Sequence, residues 1–366
     1  MRRPGPRTAI ISVLLFGLLI FGSVAYTWNT VSDVFQAVAP PSASQTIPFE
    51  VPNGATTADI ADSLQQKGLI RNALAFRLWA RVKGLDARLQ AGVYHKLNTS
   101  MTIDSIVSEL LNAQPDAIHV VIPEGWRLEQ IAARFASSGL VKFNEQEFLN
   151  YTRHIDQFPD KNQYPMLRTA AGKSMEGFLF PASYEVPVSG DARAVVKAML
   201  KAMVQNIQEN HLDTLAQQHR MDLYQMLTVA SIVEREARFP KDHGNIASVY
   251  WNRLYRPNSQ TVSFLNADPT VQYARDSLNP PKSAASYWSP LQTAGRDTAT
   301  DSPWNTYTKQ GLPPTPICSP GLASMLAAAN PPATDYYYFL AKANGESVFA
   351  RTQQEQDANQ QKYLGN

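Results

Sequence analysis

The sequence predicts an α+β protein made of an N-terminal transmembrane helix, small α+β units and a C-terminal mixed α+β domain. Three observations lead to this prediction: an uncharged apolar run from Ala9 to Trp28, a strand-turn-helix pattern that occurs twice, and a helical pattern from Asp222 to Ala237 followed later by a hairpin signal. With 366 residues, 44% of them hydrophobic, the chain is long enough for two or three folded units behind an anchor.

The N-terminus has the charge pattern of a membrane anchor. Arg2, Arg3 and Arg7 precede the run from Ala9 to Trp28, which at about 20 residues is long enough to cross a bilayer as a helix. We therefore expect a single-pass protein of the cell membrane, with a cytoplasmic N-terminus and the bulk of the chain extracytoplasmic. The alternative is a cleaved signal peptide, because residues 23–25 resemble a small-x-small cleavage site.

Charge and motif content exclude several classes of function. The formal net charge is +2, and removing the three N-terminal arginines leaves −1 with no basic run, which argues against nucleic acid as a partner. None of the six histidines has a second ligand at metal-binding spacing, and the sequence contains neither a Gly-x-Ser-x-Gly elbow nor a Gly-rich phosphate loop. We expect no metal and no cofactor. The single cysteine, Cys318, cannot form an internal disulfide.

An internal repeat occupies the first half of the chain. Residues 51–70 align without gaps with residues 122–141. Each copy has the pattern of a strand, a Pro-x-Gly turn and an amphipathic helix that ends at Gly68 or Gly139. Such units resemble LysM-type wall-binding modules. The alternative is a structural repeat that only spaces the C-terminal domain from the membrane.

Changes in composition place the domain boundaries. Proline, alanine and serine dominate residues 39–44, and the residues between Phe158 and Gly172 are polar and irregular. The predicted organisation is a cytoplasmic tail (1–8), a transmembrane anchor (9–28), a linker (29–46), a LysM-like repeat region (47–160, with copies near 48–71 and 119–142) and a C-terminal domain (173–366).

The helical pattern from Asp222 to Ala237 carries the strongest candidate for a catalytic group. Glu234 lies seven residues past Leu227 and four past Ala230, which places it on the apolar stripe of the helix. Desolvation on such a stripe raises the pKa of a carboxyl, as a general acid near neutral pH requires. The alternative is a solvated ion pair with Arg238 at i+4. The predicted polar line of the helix consists of Tyr224, Thr228, Ser231 and Arg235.

Other polar side chains of the C-terminal domain are weaker candidates. Glu236 faces about 200° away from Glu234 and is not expected in the same pocket. Asp268 is placed as the N-cap of a helix, with Pro269 at the first helical position. Glu176 either belongs to a site or caps a buried backbone turn. Aromatic and amide side chains that suit the apolar faces and hydroxyls of sugar rings are Trp251, Asn252, Asn305 and Tyr307.

Several ordered motifs together resemble the YceG-like endolytic murein transglycosylases. The segments that carry this resemblance are residues 176–181, 230–236, 247–254, 268–271, 305–307, 311–314 and 338–339. The resemblance covers about residues 48–364, and an N-terminal membrane anchor and LysM-like units are also what that family carries. The sequence departs from the family pattern at Leu265-Asn266, where the family often has Leu-Gln, and at Gln356, where the family has histidine.

The resemblance implies an endolytic lytic transglycosylase, and residues 173–366 would be its catalytic domain. It would cleave MurNAc–GlcNAc bonds of nascent peptidoglycan, form 1,6-anhydroMurNAc ends and terminate glycan elongation. Glu234 would be the catalytic residue, because one carboxyl can serve first as acid and then as base. The residues implied in substrate binding are Asn252, Asp268, Asn305, Tyr307 and Glu176.

The implied partners are peptidoglycan glycan strands, the cytoplasmic membrane, and proteins of cell-wall synthesis or division. The rival function is a non-catalytic, membrane-anchored scaffold that binds peptidoglycan. A scaffold has no reason to keep an acid such as Glu234 on the apolar face of a helix, so this residue separates the two hypotheses.

Overall fold

The computed structural model describes residues 33–52, 54–85, 88–112, 117–170, 173–291 and 301–365. The predicted tail and transmembrane segment, residues 1–28, lie outside these described ranges. Within the described ranges, no helix has the length and apolar character needed to span a membrane. The described residues form two compact units, which lie within residues 33–117 with Pro187–Ser189, and within Ile118–Val186 with residues 190–365.

The first unit contains two short strands and three helices around its own apolar core. Its elements are β1 (Phe49–Val51), α1 (Thr57–Gln66), α2 (Ala73–Val82), β2 (Gly92–Tyr94) and α3 (Ile103–Asn112), after a 3-10 turn at Pro41–Ala43. β1 and β2 pair antiparallel, with Phe49 opposite Tyr94. A capping box between Thr56 and Asp59 starts α1, and Gly68 follows the helix at a φ of 70°. The first repeat copy thus forms the predicted strand, turn and helix.

The second repeat copy forms the same kind of strand and helix, but as part of the second unit. Its elements are β3 (Ala117–Val121) and α4 (Leu128–Ala136), and β3 pairs with β4 (Ser183–Pro187). The sequence grouped this copy with the first one in residues 47–160. The structure instead packs Ile131 and Phe135 into the core of the second unit, where they share one apolar cluster with Leu227 and Met325. Burial against these later helices, rather than similarity to the first copy, decides which unit the segment joins.

The second unit is mainly helical. Its remaining helices and strands are α5 (Glu145–Arg153), α6 (Ala192–Glu209), α7 (Leu212–Gln218), α8 (Leu223–Glu236), α9 (His243–Tyr255), α10 (Asp268–Leu278), α11 (Leu322–Ala329), β5 (Tyr338–Ala341), β6 (Ser347–Ala350) and α12 (Gln353–Leu364). Short 3-10 turns lie at Ile155–Gln157, Lys161–Gln163, Pro165–Ala170, Pro240–Asp242 and Ala284–Ser286. β5 and β6 form the predicted hairpin, with Gly345 of its turn at a φ of 86°.

Helix α8 lies at the centre of this unit. It begins with the predicted capping box, in which Asp222 accepts from the backbone of Gln225 and the side chain of Gln225 accepts from the backbone of Asp222. Both α9 and α11 pack against it. As a result the predicted polar line is buried: Thr228 and Ser231 are fully enclosed, and their hydroxyls donate to backbone carbonyls one turn earlier. Polar side chains that donate a hydrogen bond to a backbone carbonyl of their own helix can be buried away from solvent.

Candidate active site

Glu234 lies in the last turn of α8 and is half-buried. Its Oε2 accepts a hydrogen bond from the backbone N–H of Gly321 at 3.0 Å and another from the hydroxyl of Ser324 at 2.7 Å. Gly321 is the N-cap of α11, and Ser324 lies in its first turn. The carboxylate therefore sits at a helix N-terminus, where free N–H groups and the peptide dipoles stabilise negative charge.

The alternative pairing of Glu234 with Arg238 does not form. Arg238 is exposed, and its side chain lies against Gly345 of the β5–β6 hairpin. Glu234 is therefore not part of a solvated ion pair on the flank of the helix. The apolar stripe does not enclose it completely, because the side chain stays half-buried and its partners are polar groups of α11.

The segment before α11 is fixed against α8 by hydrogen bonds. The backbone N–H of Ile317 donates to the hydroxyl of Ser231 at 3.0 Å, and the thiol of Cys318 donates to the carbonyl of Ser231 at 3.3 Å. On its other side the segment pairs with the second repeat copy, since Ser319 and Trp126 form an antiparallel bridge. In this way the ends of α8, α11 and the Pro-x-Gly turn after β3 meet at one place.

Glu124 is a second carboxylate at this place, and the sequence reasoning missed it. It is the middle residue of the Pro-x-Gly turn, and its carboxylate lies against the α-carbon of Gly321. The next residue, Gly125, is so close that a β-carbon there would lie 3.6 Å from Cγ of Glu234 and 3.0 Å from Nη1 of Arg235. The only signal in the sequence is that the two copies differ here, with Asn53 in the first and Glu124 in the second.

The surroundings of Glu124 shift the pKa of its carboxyl. The residue as a whole is exposed, but partial burial of its carboxyl raises the pKa, and the nearby charge of Glu234 raises it further. His243, at the start of α9, acts in the opposite direction and lowers the pKa of Glu124.

Asp268 and Tyr307 form a separate polar cluster around Glu236. The hydroxyl of Tyr307 donates to Asp268 at 2.7 Å, and the hydroxyl of Tyr250 donates to Glu236 at 3.0 Å. Burial raises the pKa of Glu236 to about 7, even though the bond from Tyr250 lowers it, and the charge of Asp268 adds to the increase. As the sequence suggested, Glu236 faces a different environment from Glu234. In the structure, Asp268 and Tyr307 belong to the surroundings of Glu236.

Asp268 and Asn305 differ in detail from what the sequence predicted. Asp268 is the first residue of α10 and Ala267 is its N-cap, so the predicted cap is shifted by one residue. The carboxylate of Asp268 is thereby free of the capping role and accepts from Tyr307 instead. Asn305 is buried, and its Oδ1 accepts from the backbone N–H of Tyr307 at 3.0 Å, which shapes the turn that presents the tyrosine.

The structure encloses Asn252 and Glu176 in protein. Asn252 is buried and donates to the backbone carbonyls of Thr334 and Tyr336, both at 2.9 Å, so it fixes the chain before β5. Glu176 is fully buried and accepts from the backbone N–H of Leu128 at 3.5 Å and from the hydroxyl of Tyr273 at 3.4 Å. This is the role of a buried carboxyl that caps a backbone turn.

The buried position of Glu176 also affects its protonation. Burial raises the pKa of this carboxyl well above its ordinary value, with Glu129 adding to the increase and Arg127 opposing it. We attribute the raised value to the interior position of the residue, since neither Glu234 nor Glu124 is among its causes.

Two cavities of the second unit do not include Glu234. One, of about 680 Å³, is lined by residues of α6, α7 and the start of α8, such as Val204, Gln217 and Leu223. The other, of about 600 Å³, has aromatic walls that include Tyr273, Tyr287 and Trp304. Across the described ranges, no group of three or more His, Cys, Asp and Glu side chains could hold a metal ion. The half-buried Glu234 is accessible from the surface, which suits a long polymer better than a small enclosed molecule.

Comparison with known proteins gives one consistent family. A family model described as the YceG-like family matches residues 49–362. An endolytic murein transglycosylase of Bacillus subtilis (strain 168) is 33% identical over 330 residues, which cover 87% of this chain and 85% of that protein. An endolytic murein transglycosylase of Streptococcus pneumoniae serotype 2 (strain D39 / NCTC 7466) is 27% identical over 96% of this chain, and the match spans 64% of that longer protein.

A solved structure supports the same assignment. The crystal structure of a YceG-like protein of Listeria monocytogenes is similar to this chain with a TM-score of 0.54 and 31% sequence identity. The similarity covers 86% of this chain and 99% of the other.

Proposed function

The chain belongs to the YceG-like family, and on this premise we propose that it is an endolytic murein transglycosylase that cleaves the glycan strands of peptidoglycan. The observation that carries the proposal is the position of Glu234, whose carboxylate is held by Gly321 and Ser324 at the N-terminus of α11. A scaffold that only binds peptidoglycan has no use for a carboxyl oriented by two donors at an accessible surface.

In the proposed reaction Glu234 acts twice. In its acid form it gives its proton to the oxygen that links N-acetylmuramic acid to N-acetylglucosamine, and the glycosidic bond breaks. As a carboxylate it then takes the proton of the muramyl C6 hydroxyl while that oxygen attacks the anomeric carbon and closes the 1,6-anhydro ring. The proton is thus returned and no water is consumed. Because the nucleophile is part of the substrate, its effective concentration is high and no second carboxylate has to position water.

The partners of Glu234 fit the two halves of this reaction. The bonds from Gly321 and Ser324 stabilise the charged form that results from the first step. They also hold the carboxylate in one orientation while it waits for the C6 hydroxyl. The helix N-terminus therefore supports the carboxylate that acts as the base in the second step.

The remaining candidate residues have indirect parts in the proposal. Asp268 and Tyr307 are both partly exposed, so a bound glycan can reach them. Asn305 acts through the turn that places Tyr307. Asn252 and Glu176 are enclosed, and we assign them a supporting role in the fold.

We further propose that residues 9–28 anchor the chain in the cytoplasmic membrane with the two units on the outer side. The charge flank of Arg2, Arg3 and Arg7 and the apolar length support this proposal. The first unit then either binds glycan or spaces the second unit from the membrane. Sequencing the N-terminus of the mature protein tests the anchor: we expect the chain to retain residues 9–28, and a start at Tyr26 would refute it.

The test of the activity compares Glu234→Gln with the wild-type protein on purified glycan strands. Glutamine keeps the shape of the side chain but cannot donate or accept the proton, so we expect a loss of cleavage of at least about 10⁴-fold. Mass spectrometry of the wild-type products should show 1,6-anhydro ends and no new reducing ends. Glu209→Gln is the matched control, because Glu209 is an exposed carboxylate at the end of α6. Cleavage retained in Glu234→Gln, or reducing ends in the wild type, would refute the mechanism.

A further inference from the structure

Helix α2 of the first unit is apolar on its outer face as well as on its inner face. On the inner side Phe76 and Ala80 are fully buried. On the outer side Leu74, Leu78 and Val82 follow one another at four-residue spacing and are 73%, 59% and 75% exposed. Residues four apart lie on the same face of a helix, so these three form one apolar row. A row of large exposed apolar side chains indicates a surface that contacts another body.

Basic side chains accompany this apolar row. Arg77 and Arg81 line a groove of about 620 Å³ between α2 and the start of α1, and Leu74 and Leu78 of the apolar row line it too. Arg81 and Lys83 are exposed, whereas Arg77 forms an ion pair with an aspartate of α1. Long basic side chains beside an apolar row are typical of a helix that lies flat in a membrane interface, with its cations at the headgroups and its apolar face towards the acyl chains.

The chain enters the first unit alongside α2. The carboxylate of Asp33 accepts from Nη1 of Arg71 at 3.1 Å, two residues before the helix begins. The ring of Phe35 then lies 5.6 Å from the ring of Trp79 on α2. The proposed anchor ends at Trp28, five residues before Asp33. Five residues span at most about 18 Å, so the anchor holds the start of α2 close to the bilayer.

We propose that the outer face of α2 docks on the anionic phospholipid surface of the membrane in which residues 9–28 are anchored. The apolar row enters the boundary between headgroups and acyl chains, and the cations of Arg81 and Lys83 lie at the lipid phosphates. This inference rests on the membrane anchor of the proposed function. Because that anchor already holds α2 at the bilayer, docking is an intramolecular step that needs little affinity of its own.

A second copy of the chain would suit this face less well. In a twofold dimer the same patch lies on both sides of the interface. Arg77, Arg81 and Lys83 of one protomer would then face the same basic residues of its partner, and like charges across an interface weaken association. An anionic bilayer surface matches both features of the face, its apolar row and its basic side chains.

The main test places an environment-sensitive fluorescent probe at Leu78→Cys in the full chain, reconstituted in vesicles of phosphatidylcholine and phosphatidylglycerol. The sequence has a single cysteine, Cys318, which is buried, so the introduced thiol takes the probe. We expect the emission of an apolar environment, and quenching by lipids that carry a nitroxide on the acyl chain. Ser108→Cys is the matched control, because Ser108 is exposed on α3 of the same unit, and its probe should report water. No quenching at Leu78→Cys, or equal quenching at both positions, overturns the proposal.

The double variant Arg81→Gln with Lys83→Gln tests the role of charge. Each basic residue near an anionic surface raises the ratio of docked to undocked protein about fivefold, so the double variant should lower this ratio, measured by quenching of the Leu78→Cys probe, by roughly 25-fold. Arg168→Gln with Lys201→Gln removes two exposed basic residues of the second unit and should leave the ratio unchanged. Equal ratios in both double variants would overturn the proposal. So would an emission shift that persists in phosphatidylcholine alone and grows with protein concentration, which would identify a second copy on this face.

Flotation of the protein with vesicles in 1 M NaCl separates this inference from the proposed anchor. At this salt concentration the Debye length is about 3 Å, so surface charge contributes little and flotation reports the apolar anchor. Flotation without quenching at Leu78→Cys overturns the inference and leaves the anchor in place. Quenching at low salt in a protein that does not float at 1 M NaCl supports docking by α2 and refutes the anchor alone. None of these measurements depends on glycan cleavage, so the activity proposed for Glu234 is tested independently.

Discussion

The carboxylate of Glu124 occupies the place that a β-carbon on Gly321 would take. Gly321 has a φ of −75° and a ψ of 168°, a conformation that alanine adopts without strain. Glycine is therefore required here because of its neighbour Glu124, and not because of its backbone conformation. A substitution at this position would move the Glu124 side chain without changing Glu124 itself.

Gly321→Ala should displace the Glu124 carboxylate while the backbone N–H of residue 321 continues to donate to Glu234. We expect the free energy of unfolding to change by no more than about 1 kcal/mol, because the group that has to move is the end of an exposed side chain. Urea unfolding measures this change. Gly244→Ala is the control, because its β-carbon would make only an ordinary 3.5 Å contact with Pro332. A loss of stability well beyond that of Gly244→Ala would contradict the prediction.

Ser324→Ala should lower kcat/KM by about ten- to a hundredfold, because it removes a 2.7 Å hydrogen bond to the carboxylate of Glu234. Steady-state kinetics on glycan strands of defined length would measure this loss. Ser319→Ala provides a matched control in the same segment, since the hydroxyl of Ser319 is buried and has no hydrogen-bond partner in the described part of the chain. We expect Ser319→Ala to keep full activity, and equal losses in both variants would point to a general packing effect.

Glu236→Gln should change how stability depends on pH. The pKa of Glu236 is raised from 4.5 to about 7 in the folded protein, so between these values the folded state holds more protons than the unfolded state. The free energy of unfolding therefore falls as pH rises through this window, by up to about 3 kcal/mol from this residue. Glutamine does not titrate, and the variant should lack this part of the decline.

Urea unfolding at pH 5 and pH 8 measures the effect of Glu236→Gln. The difference in unfolding free energy between the two pH values should be smaller in the variant than in the wild type or in Glu209→Gln. Parallel changes in all three proteins would show that Glu236 is not the titrating group.

Local features of the sequence predicted much of the fold around the site. The capping box at Asp222 located the start of α8, and Asn344-Gly345 located the hairpin turn. Each of these depends on residues that are close together in the chain. The shift of the α10 start by one residue, from a cap at Asp268 to a cap at Ala267, shows how weakly a single residue fixes a helix end.

Features that depend on distant contacts were not predictable. Glu124 meets Glu234 because the bridge between Trp126 and Ser319 brings a turn of the second repeat copy to the end of α8. Nothing in the local pattern of either segment indicates this pairing. In the same way, the sequence identified the polar line of α8, but only the packing of α9 and α11 explains why Thr228 and Ser231 are buried.

The bridge between Trp126 and Ser319 also joins parts of the site that are synthesised at different times. The three parts of the site come from separate stretches of the chain, and the donors to Glu234 are 87 and 90 residues downstream of it. A nascent chain that ends at α8 therefore contains Glu234 without Gly321 or Ser324. A complete site cannot exist before Ser324 has been added to the chain.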